Sequence, residues 1–346
     1  MIRKKSPTFL AGVILTFAIV CITFTFYFWQ IFFSPNFALQ RQEGYVYIHS
    51  GDTFKDVMHT LENEGLLHDK LSFAFISKIL GYQEKVKPGR YQINKKENNL
   101  TVVRRLRSGE QTPVRIIFNN IRLKEDLAKR LGNNLELSHE EILNKLNDPE
   151  LTSSMGFDTT TIVSMFIPDT YEMFWTVSAE KLINRMHSEY KRFWNDERLA
   201  KAEAIGLSPT EVSILASIVE AETKMNDEKP RVAGVYINRL NKNMLLQADP
   251  TVVFATGDFG IKRVYKETTK IDSPYNTYMY PGLPPGPINI PSRTSLDAVL
   301  NYEKHNYLYF CAAPDFSGYH VFAKTYNEHL RNARKYSKAL NQSNIR

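Results

Sequence analysis

An uncharged run near the N-terminus constrains this chain more than any other feature. From Phe9 to Phe33 the sequence contains no Asp, Glu, Lys or Arg. As an α-helix that rises about 1.5 Å per residue, this run reaches about 37 Å, which is enough to cross a hydrocarbon core of about 30 Å with some tilt. The sequence therefore predicts a single transmembrane helix over residues 9–33.

Basic residues before the run indicate its orientation. Arg3, Lys4 and Lys5 precede it with no acidic residue beside them, and such residues favour the cytoplasmic side. We therefore expect residues 1–8 to be a cytoplasmic tail and the chain after Ser34 to lie outside the cytoplasm, at the inner (plasma) membrane. A cleaved signal peptide is the alternative, but its apolar region spans about 7–15 residues and ends at small residues.

Composition excludes several classes of protein. The chain has 346 residues, of which 43% are hydrophobic, too many for a disordered chain. The net charge of +7 is modest and partly local to the tail, so charge alone does not indicate nucleic acid, and we expect no such partner. Its two cysteines, Cys21 and Cys311, exclude a disulfide framework and a cysteine-based zinc site. Cys21 lies in the predicted span and cannot pair with Cys311.

The first exported segment has the pattern of a small β-α-α-β unit. Alternation around residues 46–48 predicts a strand, and Thr53 is placed to cap a helix. A second helix is predicted over 70–80, before a strand over 91–93. This order resembles a LysM-like module, a small fold that binds glycans containing N-acetylglucosamine. We place that module at 44–110, and the alternative is a small α+β packing domain without sugar affinity.

The remaining chain predicts two further segments. Residues 111–154 have a mixed helix and strand pattern and connect the module to the C-terminal region. Beyond residue 155, aromatic residues, prolines and turn signals crowd together, so we place a catalytic domain at 155–346. The predicted fold class is α+β, with one transmembrane helix, a small LysM-like module and a larger α+β catalytic domain.

Several common catalytic motifs are excluded. His139 and Glu140 have no second histidine one turn later, so they do not form a zincin site. Two S-x-x-K matches, at Ser178 and Ser188, lack the S-D-N and K-T-G motifs that accompany them in penicillin-binding enzymes. The chain contains no G-x-S-x-G, Walker A or G-x-G-x-x-G motif. No metal or cofactor is therefore predicted.

A buried helix that carries a carboxyl group is the strongest catalytic signal. Ser208 and Glu211 fit a capping box, with Pro between them at the first helical position. Residues 212–219 contain no charge, and a helix that is apolar on most sides is buried. Glu220 comes next, on the same face as Ser217, so a narrow polar stripe ends in a carboxyl group.

Two effects predict a raised pKa for Glu220. Burial and the negative end of the helix dipole both disfavour the ionised form. A protonated carboxylic acid is the general acid that cleavage of a glycosidic bond needs. The alternative is a surface ion pair between Glu220 and Lys224, one turn on. Glu222 lies about 200° around the helix from Glu220, so the two carboxyl groups are predicted to diverge.

Downstream segments suggest a groove. Asp249 precedes a proline and is predicted to be a helix N-cap. A proline-rich stretch at 281–291 predicts a stiff loop near three tyrosines that can offer ring faces to sugars, while Asn276 can bond hydroxyls. The alternative is a rigid linker that faces solvent. The tyrosines are Tyr275, Tyr278 and Tyr280.

Five segments together resemble the endolytic murein transglycosylases of the MltG (YceG-like) family, in order and in spacing. They are FIPDTY at 166–171, ASIVEAET at 216–223, QADPT at 247–251, YNTY at 275–278 and GLPPGPI at 282–288. The anchor and the LysM-like module also match that family's layout. The family's catalytic glutamate falls on Glu220, and Ala221 stands where a lysine is frequent.

The resemblance implies a lyase that acts on peptidoglycan without a cofactor. Glu220 would protonate the leaving oxygen between N-acetylmuramic acid and N-acetylglucosamine and would then take the proton of the muramyl C6 hydroxyl, which leaves a 1,6-anhydro end. The family also suggests that strands are terminated beside membrane-bound wall synthases, the penicillin-binding proteins. The candidate substrate-binding residues are Ser217, Glu222, Gln247, Asp249, Thr251, Tyr275, Asn276, Thr277, Tyr280, Leu283 and Pro284.

Two other functions remain open at this point. One is a glycoside hydrolase that uses water, with Glu220 as acid and Asp249 as base. The other is a non-catalytic scaffold that binds the wall, in which Glu220 is structural. Each predicts different muropeptide products: anhydro ends for the lyase, reducing ends for the hydrolase and no cleavage for the scaffold.

Overall fold

The apolar run forms one continuous helix, α1 (Pro7–Phe33), in a computed structural model that describes residues 7–119, 121–261 and 263–342. Within those residues, Thr8–Phe33 is the single unbroken helix long and apolar enough to cross a membrane. Its side chains are mostly exposed, as suits a helix that faces lipid. The basic triplet that predicted its orientation lies outside the described residues.

The chain divides into two compact units. The first contains the chain up to Arg115 together with Asn134–Glu136 and Glu172–Val177. The second contains Ile116–Asn133, Leu137–Tyr171 and the chain from Ser178 onwards. Both units mix helices and strands, so the α+β prediction is confirmed at that level.

The first unit has the predicted β-α-α-β order. After α1 its elements are β1 (Glu43–Ile48), α2 (Phe54–Asn63), α3 (Lys70–Ile79), β2 (Gly89–Asn94) and α4 (Asn99–Ser108). β1 and β2 pair antiparallel, with Val46 opposite Tyr91, and Thr53 caps α2 as predicted. The likeness to a LysM module stays a prediction.

A buried amide cluster fixes the end of α1 to this unit. Ile31 and Phe32 of α1 pack against the unit's apolar core. The Asn99 side chain donates to the carbonyl of Ile31 at 3.3 Å and to Oγ of Ser72 at 2.9 Å. Asn36 donates to Oδ1 of Asn99 at 2.8 Å. Because buried polar groups need partners, this cluster holds the C-terminal end of α1 in one specific position against the first unit.

Several short elements lead to the core of the second unit. Strands β3 (Val114–Ile117) and β4 (Thr170–Met173) form a two-stranded sheet. A short 3-10 helix, Ile162–Met165, lies before β4. The helices in this part of the chain are α5 (Lys124–Gly132), α6 (His139–Leu146), α7 (Pro149–Ser154), α8 (Ala179–Phe193) and α9 (Asp196–Ala204).

The centre of the second unit is the apolar helix predicted from the sequence. It is α10 (Pro209–Glu222), and its residues 212–219 are all buried. The later elements are α11 (Lys229–Asn241), α12 (Asp249–Thr256), the 3-10 helix Thr268–Lys270, α13 (Arg293–Leu300), β5 (Tyr309–Ala312), β6 (His320–Ala323) and α14 (Tyr326–Gln342). β5 and β6 pair antiparallel. Apolar side chains of α10, α11 and α13 form one core cluster.

The start of α10 agrees with the sequence, whereas the predicted cap of α12 was wrong. Ser208 and Glu211 form the capping box of α10. Ala248 occupies the N-cap of α12, and Asp249 is the first helical residue. The Asp249 carboxylate instead accepts a hydrogen bond from the hydroxyl of Tyr278 at 2.5 Å. The Asp249 side chain therefore bonds a residue that is distant in the chain, whereas the capping rule had predicted that it bonds the backbone of its own helix.

Candidate active site

Glu220 lies in the last turn of α10, where the helix leaves the core. The preceding residues are fully packed, while the Glu220 side chain keeps 22% of its surface exposed. Nζ of Lys229, at the start of α11, lies 3.1 Å from Oε2 of Glu220, and the lysine side chain is only 4% exposed. The hydroxyls of Ser292 and Ser295, at the start of α13, also donate to Oε2 of Glu220.

These contacts reverse the prediction that the pKa of Glu220 is raised. Burial does raise it, but hydrogen bonds from Ser292, Ser295 and Lys229, with the charge of Lys229, outweigh burial and leave the pKa below its ordinary value. Glu220 is therefore a carboxylate at neutral pH. The cation that pairs with it is Lys229, from another helix, whereas the ion-pair alternative had named Lys224.

Glu222 has the opposite environment. The hydroxyl of Tyr236 donates to its Oε1 at 2.6 Å. Burial raises the pKa of Glu222 to about 7, the nearby Asp249 raises it too, and Tyr236 and Arg239 only partly counter this. The guanidinium of Arg239 is directed to backbone carbonyls, among them that of Leu246 at 2.7 Å. Of the two carboxyl groups, Glu222 is therefore the one whose protonated form is favoured.

Both carboxyl groups line one cavity of about 480 Å³. That the two carboxyl groups diverge stays a prediction: they stand about 200° apart on an ideal helix, and they bond different partners, Lys229 for Glu220 and Tyr236 for Glu222. Asp249 lines the same cavity, and aromatic rings and arginines complete its walls. Those other walls include Phe254, Phe259, Arg122, Arg263 and Asn289.

A second cavity of about 350 Å³ shares Glu222 and Asp249 with the first, so the two adjoin. Gln247 lines this second cavity with a φ of 48°, in the left-handed region that non-glycine residues rarely adopt. Such strain clusters at functional sites. The other walls are mainly aromatic and include Tyr278, Tyr309, Phe310 and Tyr326.

Four predicted binding residues lie behind the site rather than in it. The hydroxyls of Thr251 and Thr277 bond each other at 2.8 Å. Ser217 accepts a hydrogen bond from the backbone of Ile288 at 3.0 Å. Asn276 donates to the carbonyl of Ile271 at 2.7 Å. A side chain that is at most 1% exposed cannot contact a glycan, so these residues hold the loops that shape the cavity; they are Ser217, Thr251, Asn276 and Thr277.

The remaining predicted residues lie elsewhere on the same unit. Tyr275 packs its ring on Phe254, with centroids 4.7 Å apart, and so supports the cavity wall. Tyr280 is 41% exposed and donates to Asp272 at 2.5 Å. Leu283 and Pro284 line a separate cavity beside the start of α10. Of the predicted set, Glu220, Glu222 and Asp249 meet at the main cavity and Gln247 at its neighbour.

The sequence reasoning missed the residues that tune Glu220. Lys229, Ser292 and Ser295 lie on two other helices, and nothing in their local pattern links them to Glu220. Ser292 does carry a visible signal, because its side chain caps α13 by accepting from the backbone of Ser295 at 3.3 Å. A helix N-terminus is favourable ground for an anion. The N-cap position of Ser292 was therefore the signal that the sequence offered.

Asn289, a residue that lines the main cavity, was also missed. It is 4% exposed, and Nδ2 donates to the carbonyl of Ser217 at 2.8 Å. Oδ1 is buried and has no partner among the described residues. Asn289 lines the main cavity, so an acceptor that needs a partner is buried beside that cavity.

Comparisons with known proteins identify similar chains. The model of the YceG-like family matches residues 46–335. A protein of Bacillus subtilis named endolytic murein transglycosylase is 27% identical over 311 residues, which cover 85% of this chain and 85% of its own. A protein of the same name from Streptococcus pneumoniae is 26% identical over 82% of this chain, which spans 57% of the pneumococcal protein's length.

A solved structure extends the likeness to three dimensions. The crystal structure of a YceG-like protein from Listeria monocytogenes matches with a TM-score of 0.57 and 29% sequence identity. The match covers 84% of this chain and 98% of the Listeria chain.

Proposed function

The chain belongs to the YceG-like family, and on that premise we propose that it is a membrane-anchored lytic transglycosylase of peptidoglycan. The curated relatives are named endolytic murein transglycosylases, and enzymes of that kind are lyases. The bond cleaved is the β-1,4 link from N-acetylmuramic acid to N-acetylglucosamine inside a glycan strand. The new end is a 1,6-anhydro ring.

The observation that carries the proposal is that Glu220 and Glu222 line one cavity in environments that shift their pKa values in opposite directions. Environments that push two pKa values apart separate an acid from a base. Glu222, with a pKa raised to about 7 by burial, protonates the glycosidic oxygen as its bond to the anomeric carbon breaks. Glu220, held ionised by Ser292, Ser295 and Lys229, takes the proton of the C6 hydroxyl as that oxygen bonds to the anomeric carbon.

This scheme balances without water. One proton leaves Glu222 with the new 4-hydroxyl of N-acetylglucosamine, and one reaches Glu220 from the C6 hydroxyl. Transfer of that proton from Glu220 to Glu222 through solvent resets the enzyme. The scheme divides between two residues the roles that the resemblance gave to Glu220 alone, because a carboxylate paired with Lys229 is a poor acid in the resting state.

Asn289 supports recognition of an acetamido sugar. Its buried Oδ1, which has no partner among the described residues, can accept a hydrogen bond, and the N–H of an N-acetyl group is a donor of the right type. The aromatic rings of Phe254 and Phe259 in the same wall can pack on the apolar faces of sugar rings. A substrate without acetamido groups leaves that Oδ1 without a donor, which disfavours its binding.

The span α1 is proposed to be a retained anchor. A cleaved signal peptide would remove Ile31 and Phe32 from the core of the first unit and the carbonyl that Asn99 bonds. In this topology the N-terminus is cytoplasmic and the catalytic unit faces the wall. A C-terminal alkaline phosphatase fusion should be active and a C-terminal fluorescent protein that folds only in the cytoplasm should be dark; the reverse would overturn the topology.

Division of labour along the chain is also a proposal. Residues 155–346 carry the chemistry, and the module at 44–110 captures glycan. Arg122 lines the main cavity and Ile121 accepts a backbone bond from Ile290 at 2.7 Å, so part of the connecting segment belongs with the catalytic region. Anchoring beside membrane-bound wall synthases suits an enzyme that ends nascent strands.

Mass spectrometry of muropeptides tests the function. The full chain, incubated with uncrosslinked glycan strands, should release fragments with anhydro ends. Glu220→Gln and Glu222→Gln should each reduce release by about 10²–10⁴-fold, the usual effect of losing a general acid or base. Glu203→Gln, at an exposed site on α9, is the matched control and should cleave normally. Reducing ends would indicate the hydrolase, and no cleavage by the folded protein would indicate a scaffold.

A further inference from the structure

Helix α3 of the first unit exposes an apolar face. Its inner face packs Phe73 and Ile76 into the core. On its outer face Leu71 is 76% exposed, Phe75 49% and Ile79 54%, and Leu71 is the most exposed large apolar side chain among the described residues. A helix that is apolar on both faces is normally buried on both, so the outer face indicates a partner that the described part of the chain does not supply.

This outer face continues the surface of α1. A groove of about 410 Å³ is lined on one side by α1 and on the other by Leu71, Ser72 and Phe75 of α3. The residues of α1 that line it are Phe24, Tyr27, Phe28 and Ile31. The amide cluster of Asn36 and Asn99 holds the two helices in this arrangement, since it bonds both the end of α1 and the start of α3.

Helix geometry places the groove at the outer boundary of the hydrocarbon core. About 20 helical residues cross a core of about 30 Å. Counted from Thr8, where the apolar span begins, the core therefore ends near Phe28. Tyr27 and Trp29 are 59% and 54% exposed there, at the level where such rings favour the interface. Any residue that lies against Phe24 and Phe28 must share their depth.

We propose that α3 is an interfacial helix whose outer face, formed by Leu71, Phe75 and Ile79, enters the outer leaflet beside α1. The partner is the lipid bilayer, because the face is continuous with a surface already committed to lipid. Lys70 and Lys78 lie at the two ends of α3 and are exposed, so their ammonium groups reach the phosphate level. The first unit thus rests on the membrane surface. This inference rests on the proposed anchor.

Fluorescence quenching by lipid tests the contact. The full chain is reconstituted in phosphatidylcholine and phosphatidylglycerol vesicles, with or without lipids brominated in the upper part of their acyl chains. Leu71→Trp and Phe75→Trp add a fluorophore on the outer face, and Lys55→Trp adds one at an exposed site on α2 as the matched control. The wild type gives the signal of its native tryptophans, which is subtracted.

We expect brominated lipid to quench the added fluorescence at 71 and 75 by at least a factor of two and to leave it unchanged at 55. Equal quenching at all three sites, or none at 71 and 75, would overturn the inference. A blue shift that grows with protein concentration, without lipid quenching, would also overturn it and would indicate a second copy on this face. Flotation of the wild type with vesicles tests the anchor separately, so failure of the anchor and failure of the α3 contact are distinguishable.

Discussion

Nζ of Lys229 lies 3.1 Å from Oε2 of Glu220, and the two side chains come from the beginning of α11 and the end of α10. The lysine is nearly completely buried, while the glutamate is open to the cavity. This cation, together with the hydroxyls of Ser292 and Ser295, holds the pKa of Glu220 below its ordinary value. Its neighbour Glu222 makes no ion pair within the described residues, and burial raises its pKa to about 7.

Glu220→Gln should reduce activity by about 10²–10⁴-fold and also lower stability. The substitution leaves the buried ammonium of Lys229 without its carboxylate, and an unpaired buried charge costs on the order of 1–3 kcal/mol or more. Chemical denaturation of the folded variant measures this. The double variant Glu220→Gln/Lys229→Met should recover much of the lost stability and none of the activity. A Glu220→Gln protein as stable as the wild type would show that the pair contributes little.

Lys229→Met should shift the pH dependence of kcat/KM. Without the cation, the pKa of Glu220 rises, because burial, which already raises it, is opposed only by Ser292 and Ser295. The acidic limb, which requires ionised Glu220, should move to higher pH. Lys229→Arg keeps the charge and should move the limb less. An unchanged acidic limb in Lys229→Met would show that the acidic limb does not report the ionisation of Glu220.

Glu222→Gln should change how stability depends on pH. The pKa of Glu222 is raised to about 7 in the folded protein, mainly by burial, against about 4.3 when unfolded. The stability that protonated Glu222 gives the folded protein is fully present below about pH 4.3 and is lost as pH rises through 7. Subtracting the wild-type thermal midpoints from those of Glu222→Gln should therefore give a difference that grows from pH 4.5 to 7. A flat difference would contradict the assignment.

Asn289→Ala should raise KM for glycan strands more than it lowers kcat. The variant loses the buried acceptor beside the cavity as well as the bond to Ser217. The second loss costs about 1 kcal/mol of stability and is measured by thermal unfolding. Reduced folding alone would lower the amount of active enzyme, and so the apparent kcat, while KM stayed unchanged. That outcome would show that Asn289 does not take part in substrate recognition.

Gly234→Ala should destabilise the protein although it lies in a helix. In an exposed helix this change gains about 1 kcal/mol. Here a Cβ on Gly234 would lie 2.5 Å from the carbonyl oxygen of Glu303 and 2.7 Å from Nε2 of His305. Since α11 carries both Lys229 and Tyr236, a shift of this helix should also reduce activity. Urea denaturation that shows Gly234→Ala to be more stable would refute the close packing.

Local signals accounted for much of the fold because they act over a few residues. The capping box of Ser208 and Glu211 and the uncharged stretch behind it identified α10 as a buried helix, and that helix is the centre of the second unit. The same kind of rule failed for Asp249, because the hydroxyl of Tyr278 competes for its side chain. A short-range rule holds only where no tertiary partner intervenes.

By itself, the sequence determined the apolar span, the β-α-α-β order, the buried helix and the candidate Glu220, because charge patterns, periodicity and caps are written in neighbouring residues. Only the tertiary structure decided which carboxyl group is ionised. Ser292 lies 72 residues from Glu220 in the chain and Lys229 lies 9 residues away, on helices that meet α10 only after folding. A pKa reports the field of groups that are close in space, so the protonation states of Glu220 and Glu222 depend on packing that local sequence does not encode.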